Sequence, residues 1–317
     1  MTEEKKKIAT REAYGSTLAV LAKENPQVVV LDADLSKSTK TEDFAKVAPE
    51  RFINVGIAEQ DLVGVAAGLS TCGKIPFLSG FAVFVAGRGF EQIRNTVCYG
   101  KLNVKIAATH AGVTVGEDGG SHQAIEDLAL MRALPGLTVI CPSDAVETAW
   151  AVRAAAEYQG PVYLRLGRLA VPQLYEEGQE FRWGKGQLLR SGADIALLAT
   201  GLMVSEALEA AKLLAEEGIR AAVADLHTVK PLDTELVLNL AERCGAMLTL
   251  EEHSIIGGLG SAVAETLAEN FSQPLAFGRV GLNDTFGQSG SPMALLKHYG
   301  LNAEAIATRA KTVLSRK

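Results

Sequence analysis

The sequence predicts an α/β protein of two three-layer domains, each a mostly parallel sheet with helices on both faces. Short apolar runs of strand length alternate with helical ones along the chain, the pattern that builds parallel sheets. A chain of 317 residues exceeds what a single hydrophobic core usually organises. Between Val171 and Gly186 the periodicity stops in VPQLYEEGQEFRWGKG, a mixture of Pro, Gly and charge that reads as a linker. The expected division is therefore 1–178 and 179–317.

The elements follow in chain order. Val28–Leu31 is a strand, and a helix from about Ile57 to Ser70 places Ala58, Leu62, Val65, Ala66 and Leu69 along one side. Lys105–Thr109 and Val162–Arg165 are strands, with a helix near Ala145–Glu157 between them. Beyond the linker, Ile195–Ala199 is a strand, and Val204–Glu217 a helix with Leu208, Ala211 and Ala215 in register and Gly218 after its end. Ala221–Ala224 is the next strand, completing a strand-helix-strand unit.

In open sheets of this kind ligands gather at the carboxyl ends of the strands. The informative loops are then DADLSKST after Leu31, HAGVTVGEDGGSHQ after Thr109 and RLGR after Leu164. EEHSIIGGLGS, in the second domain, holds Gly257, Gly258 and Gly260 out of register for a GxGxxG fingerprint and reads as a helix-entry turn.

Composition excludes several classes. With 48% hydrophobic and 21% charged residues and a net charge of -6, the chain has no general field for nucleic acid. Its basic run, Lys5–Lys7, follows Glu3 and Glu4. No apolar run reaches membrane-spanning length and no secretion signal opens the chain, so a cytoplasmic protein is expected, without nucleic-acid or membrane partners. Cys72, Cys98, Cys141 and Cys244 are scattered, which fits reduced thiols better than disulfides or zinc.

Four groups of residues carry chemistry. In FINVGIAEQDLVGVAAG, Glu59 shares its side of the helix with Val63 and Ala67, while Gly64 and Gly68 allow a neighbour to approach. Glu59 is either an acid complementing a helix amino terminus capped by Asn54 or a neighbour, or a desolvated acid-base group; both readings stand. The loop THAGVTVGEDGGSHQ gathers His110, Glu117, Asp118 and His122. Imidazoles exchange protons near neutral pH, and carboxylates bind hydroxyls, so the cluster suits polyhydroxy chemistry. A metal site is the rival, disfavoured by the spacing of the histidines, and a plain polar turn is the simplest alternative. Phe81 and Phe84 can stack on a heteroaromatic ligand or serve as core. Arg165 and Arg168, at a strand end, can read an anion, although one of them can be a solvated charge; Arg11 and Ser38 are further candidates for an anion contact, which sequence spacing does not show. There is no Gly-Asp-Gly metal and diphosphate motif, P-loop or registered dinucleotide fingerprint.

Taken together, GIAEQ, FAVF, HAGVTVGEDGGSHQ, LRLGR and TFGQSG resemble the carboxyl-terminal half of a transketolase, its pyrimidine-binding domain followed by its carboxyl-terminal domain. The resemblance covers almost the whole chain. It implies a split enzyme dependent on thiamine diphosphate, whose Mg2+ and diphosphate are held by a separate amino-terminal subunit. It implies further that Glu59, keeping its proton through desolvation, hydrogen-bonds the aminopyrimidine and promotes loss of the thiazolium proton. Phe81 and Phe84 match the positions around the pyrimidine, with Phe84 the stacking ring, and Asp34 matches an acid near the cofactor and subunit interface. His110 and His122 match histidines that bind hydroxyls and assist proton transfer, and Asp118 a carboxylate that reads a donor hydroxyl. Arg11, Ser38 and Arg168 match the sugar-phosphate clamp. Where the family often has Tyr beyond the second Phe, this chain has Gly87 or its neighbours, leaving one wall of the pocket unassigned. The expected assembly pairs two copies of this chain with two of the other subunit, each site lying where the two types meet. The beta subunit of 2-oxoacid dehydrogenases and deoxyxylulose-phosphate synthase share parts of these motifs, and a non-catalytic scaffold subunit is the remaining alternative.

Overall fold

The computed structural model describes residues 6–317, so Glu3, Glu4 and Lys5 lie outside the described residues. The first half of the chain supplies β1 (Lys7–Ala9), β2 (Val28–Asp32), β3 (Phe52–Asn54), β4 (Ile75–Phe81), β5 (Lys105–Thr109), β6 (Thr138–Ile140), β7 (Val162–Arg165) and β8 (Ala170–Pro172). The second supplies β9 (Gln187–Arg190), β10 (Ile195–Ala199), β11 (Ala221–Asp225), β12 (Thr228–Lys230), β13 (Ala246–Ser254) and β14 (Ala276–Leu282). They form a seven-stranded sheet ordered β12-β6-β7-β5-β4-β2-β3 and a five-stranded sheet ordered β14-β13-β10-β11-β9. Only the edge strands β12 and β9 run antiparallel to their neighbours in these sheets. The α/β architecture with mostly parallel sheets is therefore as the sequence predicts.

Central strands such as β2, β5 and β10 are buried along their whole length, which is why they read as continuous apolar runs. Successive side chains leave opposite faces. Leu31, Leu78, Ile106 and Tyr163 pack with Leu62 of the helix Glu59–Thr71 on one side. Val30, Phe77, Ala107 and Leu164 pack with Tyr14 and Val152 on the other. The same alternation divides Leu197 and Leu198 between the two cores of the second sheet.

Three features depart from the sequence reading. β4, seven residues in the interior of the first sheet, breaks the apolar pattern with Pro76, Ser79 and Gly80. β12 leaves the second half of the chain to pair with β6 across Thr228 and Ile140. The start of the supposed linker is also structured, since Val171 pairs with Ile8 in the small β1-β8 sheet. EEHSIIGGLGS does form a helix entry: the carboxylate of Glu251 accepts from Leu259 N at 2.7 Å and Gly260 N at 2.8 Å, opening the helix Leu259–Asn270. Cys98, Cys141 and Cys244 are buried free thiols and Cys72 an exposed one. Among the described residues no helix is long and apolar enough to cross a membrane.

Candidate active site

Two parallel neighbours set the geometry. β4 and β5 pair with Phe81 opposite Thr109, so the next residue, His110, emerges beside the Phe81 ring. The two rings stack with centroids 3.9 Å apart and 24° between planes. His110 has a φ of 57°, a left-handed conformation uncommon outside glycine and frequent at functional sites. The helix Ala82–Arg88 starts at once after β4 and turns Phe84 onto Phe81, 6.1 Å between centroids. His122 meets Phe84 edge-on at 5.3 Å. One helical turn beyond Phe84, the Arg88 guanidinium lies 4.3 Å over that ring, and its Nη1 donates to Glu59 Oε1 at 3.0 Å. At the other end of the row, Arg11 Nη1 lies 3.5 Å from His110 Nε2 and donates to the carbonyl of Ser38 at 2.8 Å.

Glu59 is 5% exposed at the first position of its helix. Asn54 does not cap that helix. Its Oδ1 accepts from Gly56 N at 2.9 Å and Asp34 N at 3.1 Å, while its Nδ2 donates to Asp34 Oδ1, holding Asp34 at a φ of 64°. The buried carboxyl group of Glu59 has a basic partner, the salt bridge to Arg88. Arg88, which supplies the partner, is not among the residues the sequence singles out, although its spacing from Phe84 puts both on one helix face. It stands next to Gly87, where the resemblance leaves the family Tyr without a counterpart.

The two loop histidines differ in setting. His110 is buried, with Nδ1 2.9 Å from Thr109 Oγ1. Burial, then the charges of Arg11 and Arg168 and the ring of His122, push its pKa down to about 3. Its imidazole is neutral at neutral pH, suited to exchanging hydrogen bonds with hydroxyls. His122 is half-buried, with Nδ1 3.0 Å from Ser121 Oγ.

Arg168 joins the loop at its rim. Its Nη1 donates to Val115 O and lies 3.4 Å from Asp118 Oδ2 and 3.7 Å from Glu117 Oε2. Partly exposed pairs of this kind are weak, on the order of 1 kcal/mol or less, so the guanidinium is free to exchange partners. Ser38 reaches this region through its backbone carbonyl. Arg165 is different: 5% exposed, it grips Asp127 through Nε at 2.8 Å and Nη2 at 3.0 Å. Tyr163, two residues earlier on the same strand face, donates to that carboxylate at 2.8 Å. Arg165 thus belongs to the interior, its guanidinium taken up by Asp127. Asp32 went unnoticed in the sequence; it is buried and accepts from Thr39 Oγ1 at 2.7 Å and Thr41 Oγ1 at 2.9 Å, shaping the loop that carries Asp34 and Ser38.

The arrangement is an aromatic platform with a buried carboxylate at one end, two imidazoles on its flank and two arginines at the other end. These residues fit a heteroaromatic cofactor ring with a basic nitrogen, set beside an anionic polyhydroxy substrate.

Comparison with known proteins identifies the family. Residues 6–173 match the family model for the transketolase pyrimidine-binding domain, and residues 184–306 that for the transketolase C-terminal domain. A protein of Methanocaldococcus jannaschii described as a putative transketolase C-terminal section is 52% identical over 301 residues, 94% of each chain. A 6-deoxy-6-sulfo-D-fructose transketolase subunit of a Clostridium species is 44% identical, covering 97% of this chain and 95% of its own. A solved structure described as a split-gene transketolase, inactive beta4 tetramer, superposes with a TM-score of 0.91 at 58% identity, covering 98% of this chain and 99% of its own. The chain therefore belongs to the transketolase family, as a relative of its split, carboxyl-terminal subunits.

Proposed function

We propose that this chain is the carboxyl-terminal subunit of a thiamine diphosphate-dependent transketolase, cytoplasmic, which moves a two-carbon ketol unit from a ketose phosphate to an aldose phosphate and acts only with an amino-terminal partner subunit. The observation that carries this reading is the row Glu59, Arg88, Phe84, Phe81 and His110, with His122 on its flank. The bound cofactor supplies the electron sink for cleaving and forming the carbon–carbon bond.

Glu59 would hydrogen-bond the pyrimidine in place of its contact with Arg88, and Phe84 and Phe81 would hold the ring by stacking. Neutral His110 orients substrate hydroxyls, and His122 takes up and returns the proton of the reacting hydroxyl. Asp118 reads the donor hydroxyl, while Arg168 and Arg11, with the Ser38 carbonyl positioning Arg11, take the anionic end of the sugar. Asp34 lies where the cofactor and the partner meet.

Mg2+ and the diphosphate are assigned to the partner, which the descriptions of the relatives as a section and a subunit support. Among the described residues no three His, Cys, Asp or Glu side chains are placed to hold a metal ion. The assembly is two copies of each subunit. Within this chain the domains are 1–178 and 179–317, a division supported by the absence of helix or strand between residues 173 and 186.

Reconstitution tests the reading: the chain is mixed with a diphosphate-binding subunit, thiamine diphosphate and Mg2+, and assayed for ketol transfer between sugar phosphates and for pyruvate decarboxylation. Ketol transfer that needs both subunits is expected. Decarboxylation alone would point to another thiamine enzyme, full activity of this chain by itself would remove the need for a partner, and no activity in any mixture would favour a scaffold.

A further inference from the structure

The second domain contributes no side chain to the row described above, yet it touches the loop that carries His110, Asp118 and His122. Gln123 follows His122 and is buried. Its Nε2 is shared among three carbonyls: Val113 O at 3.1 Å and Gly116 O at 3.4 Å within the loop, and Gln288 O at 3.0 Å in the second domain. Three acceptors around one atom fix which end of the amide is the donor. On the other side, a Cβ at Gly287 would fall 1.6 Å from Gln123 Oε1, so only glycine leaves room for this amide. A second tie lies nearby, where Glu252 of β13 accepts from Thr114 N at 2.6 Å. Its carboxyl group also fills the space a side chain at Gly112 would need, a position with a φ of 80°. Between these ties the loop is held by short turns, Gly116 N to Val113 O, Gly119 N to Gly116 O and His122 N to Gly119 O, and by Arg168, whose Nη1 donates to Val115 O.

We propose that Gln123 is a positioning residue through which the second domain, by the backbone at Gly287 and Gln288, sets the loop that presents Asp118 and His122 to the substrate. The inference rests on the transketolase reading for its consequence in catalysis, but the clamp itself is a property of this chain. It gives the second domain a part in substrate binding, transmitted through the TFGQSG segment.

The test uses Gln123→Met, which keeps the volume and deletes the donor, and Gly287→Ala, which displaces the amide from outside the loop. In the chain alone, backbone hydrogen exchange over residues 113–120 is expected to quicken roughly tenfold or more in both variants. In the double variant the second substitution adds nothing, because Gly287 acts through Gln123. In the enzyme reconstituted with its partner, thiamine diphosphate and Mg2+, KM for the ketose phosphate rises roughly ten- to hundredfold. The thiamine diphosphate concentration for half-maximal activity stays at the wild-type value. Wild-type exchange in both variants overturns the proposal, as does full additivity of the two substitutions. A lowered thermal midpoint with unchanged exchange and KM also overturns it, leaving Gln123 a packing residue. If the wild-type assembly carries out no ketol transfer, the functional reading fails while the exchange comparison still decides the clamp.

Discussion

Glu59 Oε1 and Arg88 Nη1 lie 3.0 Å apart, and the same guanidinium covers the Phe84 ring at 4.3 Å. The carboxylate is 6% exposed on its side chain and the arginine 54%, so a half-solvated cation closes over a buried anion. Both contacts are of the weak kind, about 1 kcal/mol each. An incoming aromatic ring that brings its own hydrogen-bond donor to Glu59 can replace them.

The pair predicts a measurable coupling. In urea unfolding of the chain alone, a double-mutant cycle of Glu59→Gln and Arg88→Ala gives an interaction of about 1 kcal/mol. Coupling indistinguishable from zero would mean that Arg88 does not guard the carboxylate in solution.

His110 predicts a pH dependence with a defined sign. Its pKa in the folded chain, about 3, lies below the ordinary histidine value of about 6.5. The unfolded chain therefore binds more protons between these values. The contribution of His110 to stability is complete above about pH 6.5 and is lost as the pH falls towards 3. His110→Gln, which does not titrate, flattens this part of the stability profile measured by thermal unfolding. An unchanged acid limb in the variant would show that His110 titrates normally.

Arg165 and Arg168 predict opposite phenotypes from neighbouring positions. Arg165→Met leaves the carboxylate of Asp127 buried without its cation and costs roughly 3–5 kcal/mol in denaturant unfolding. Arg168→Met changes stability by about 1 kcal/mol or less. In the reconstituted enzyme it raises KM for sugar phosphates tenfold or more, about the worth of one charge-assisted contact. Equal effects of the two substitutions on stability would contradict the assignment.

The legible part of the fold was the part with local causes. β2, β5 and β10 are buried on both faces and announce themselves as unbroken apolar runs. β4 was hidden because its polar and glycine positions serve tertiary contacts: Ser79 Oγ lies 2.6 Å from Tyr14 OH, and Gly80 packs against Val85. β12 was hidden because its partner strand belongs to the other half of the chain. The same distinction runs through the site. His110, Asp118 and His122 share one polar, glycine-dense loop and are legible from their chemistry alone. Arg88 pairs with a residue 29 positions away, and Glu252 supports Thr114 from 138 positions away, separations that leave no local pattern. Arg165 and Arg168 look alike in LRLGR until strand geometry turns the first inward beside Tyr163.

Replacement of Glu59 by Gln in the assembled enzyme tests the central claim most directly. Glu59→Gln keeps the shape and removes the acid, so the two-subunit complex with thiamine diphosphate and Mg2+ should still form, by size-exclusion chromatography and cofactor retention. Ketol transfer in that complex should fall by roughly a hundredfold or more, the scale of a lost acid-base group. A complex that forms and turns over at the wild-type rate would contradict the account.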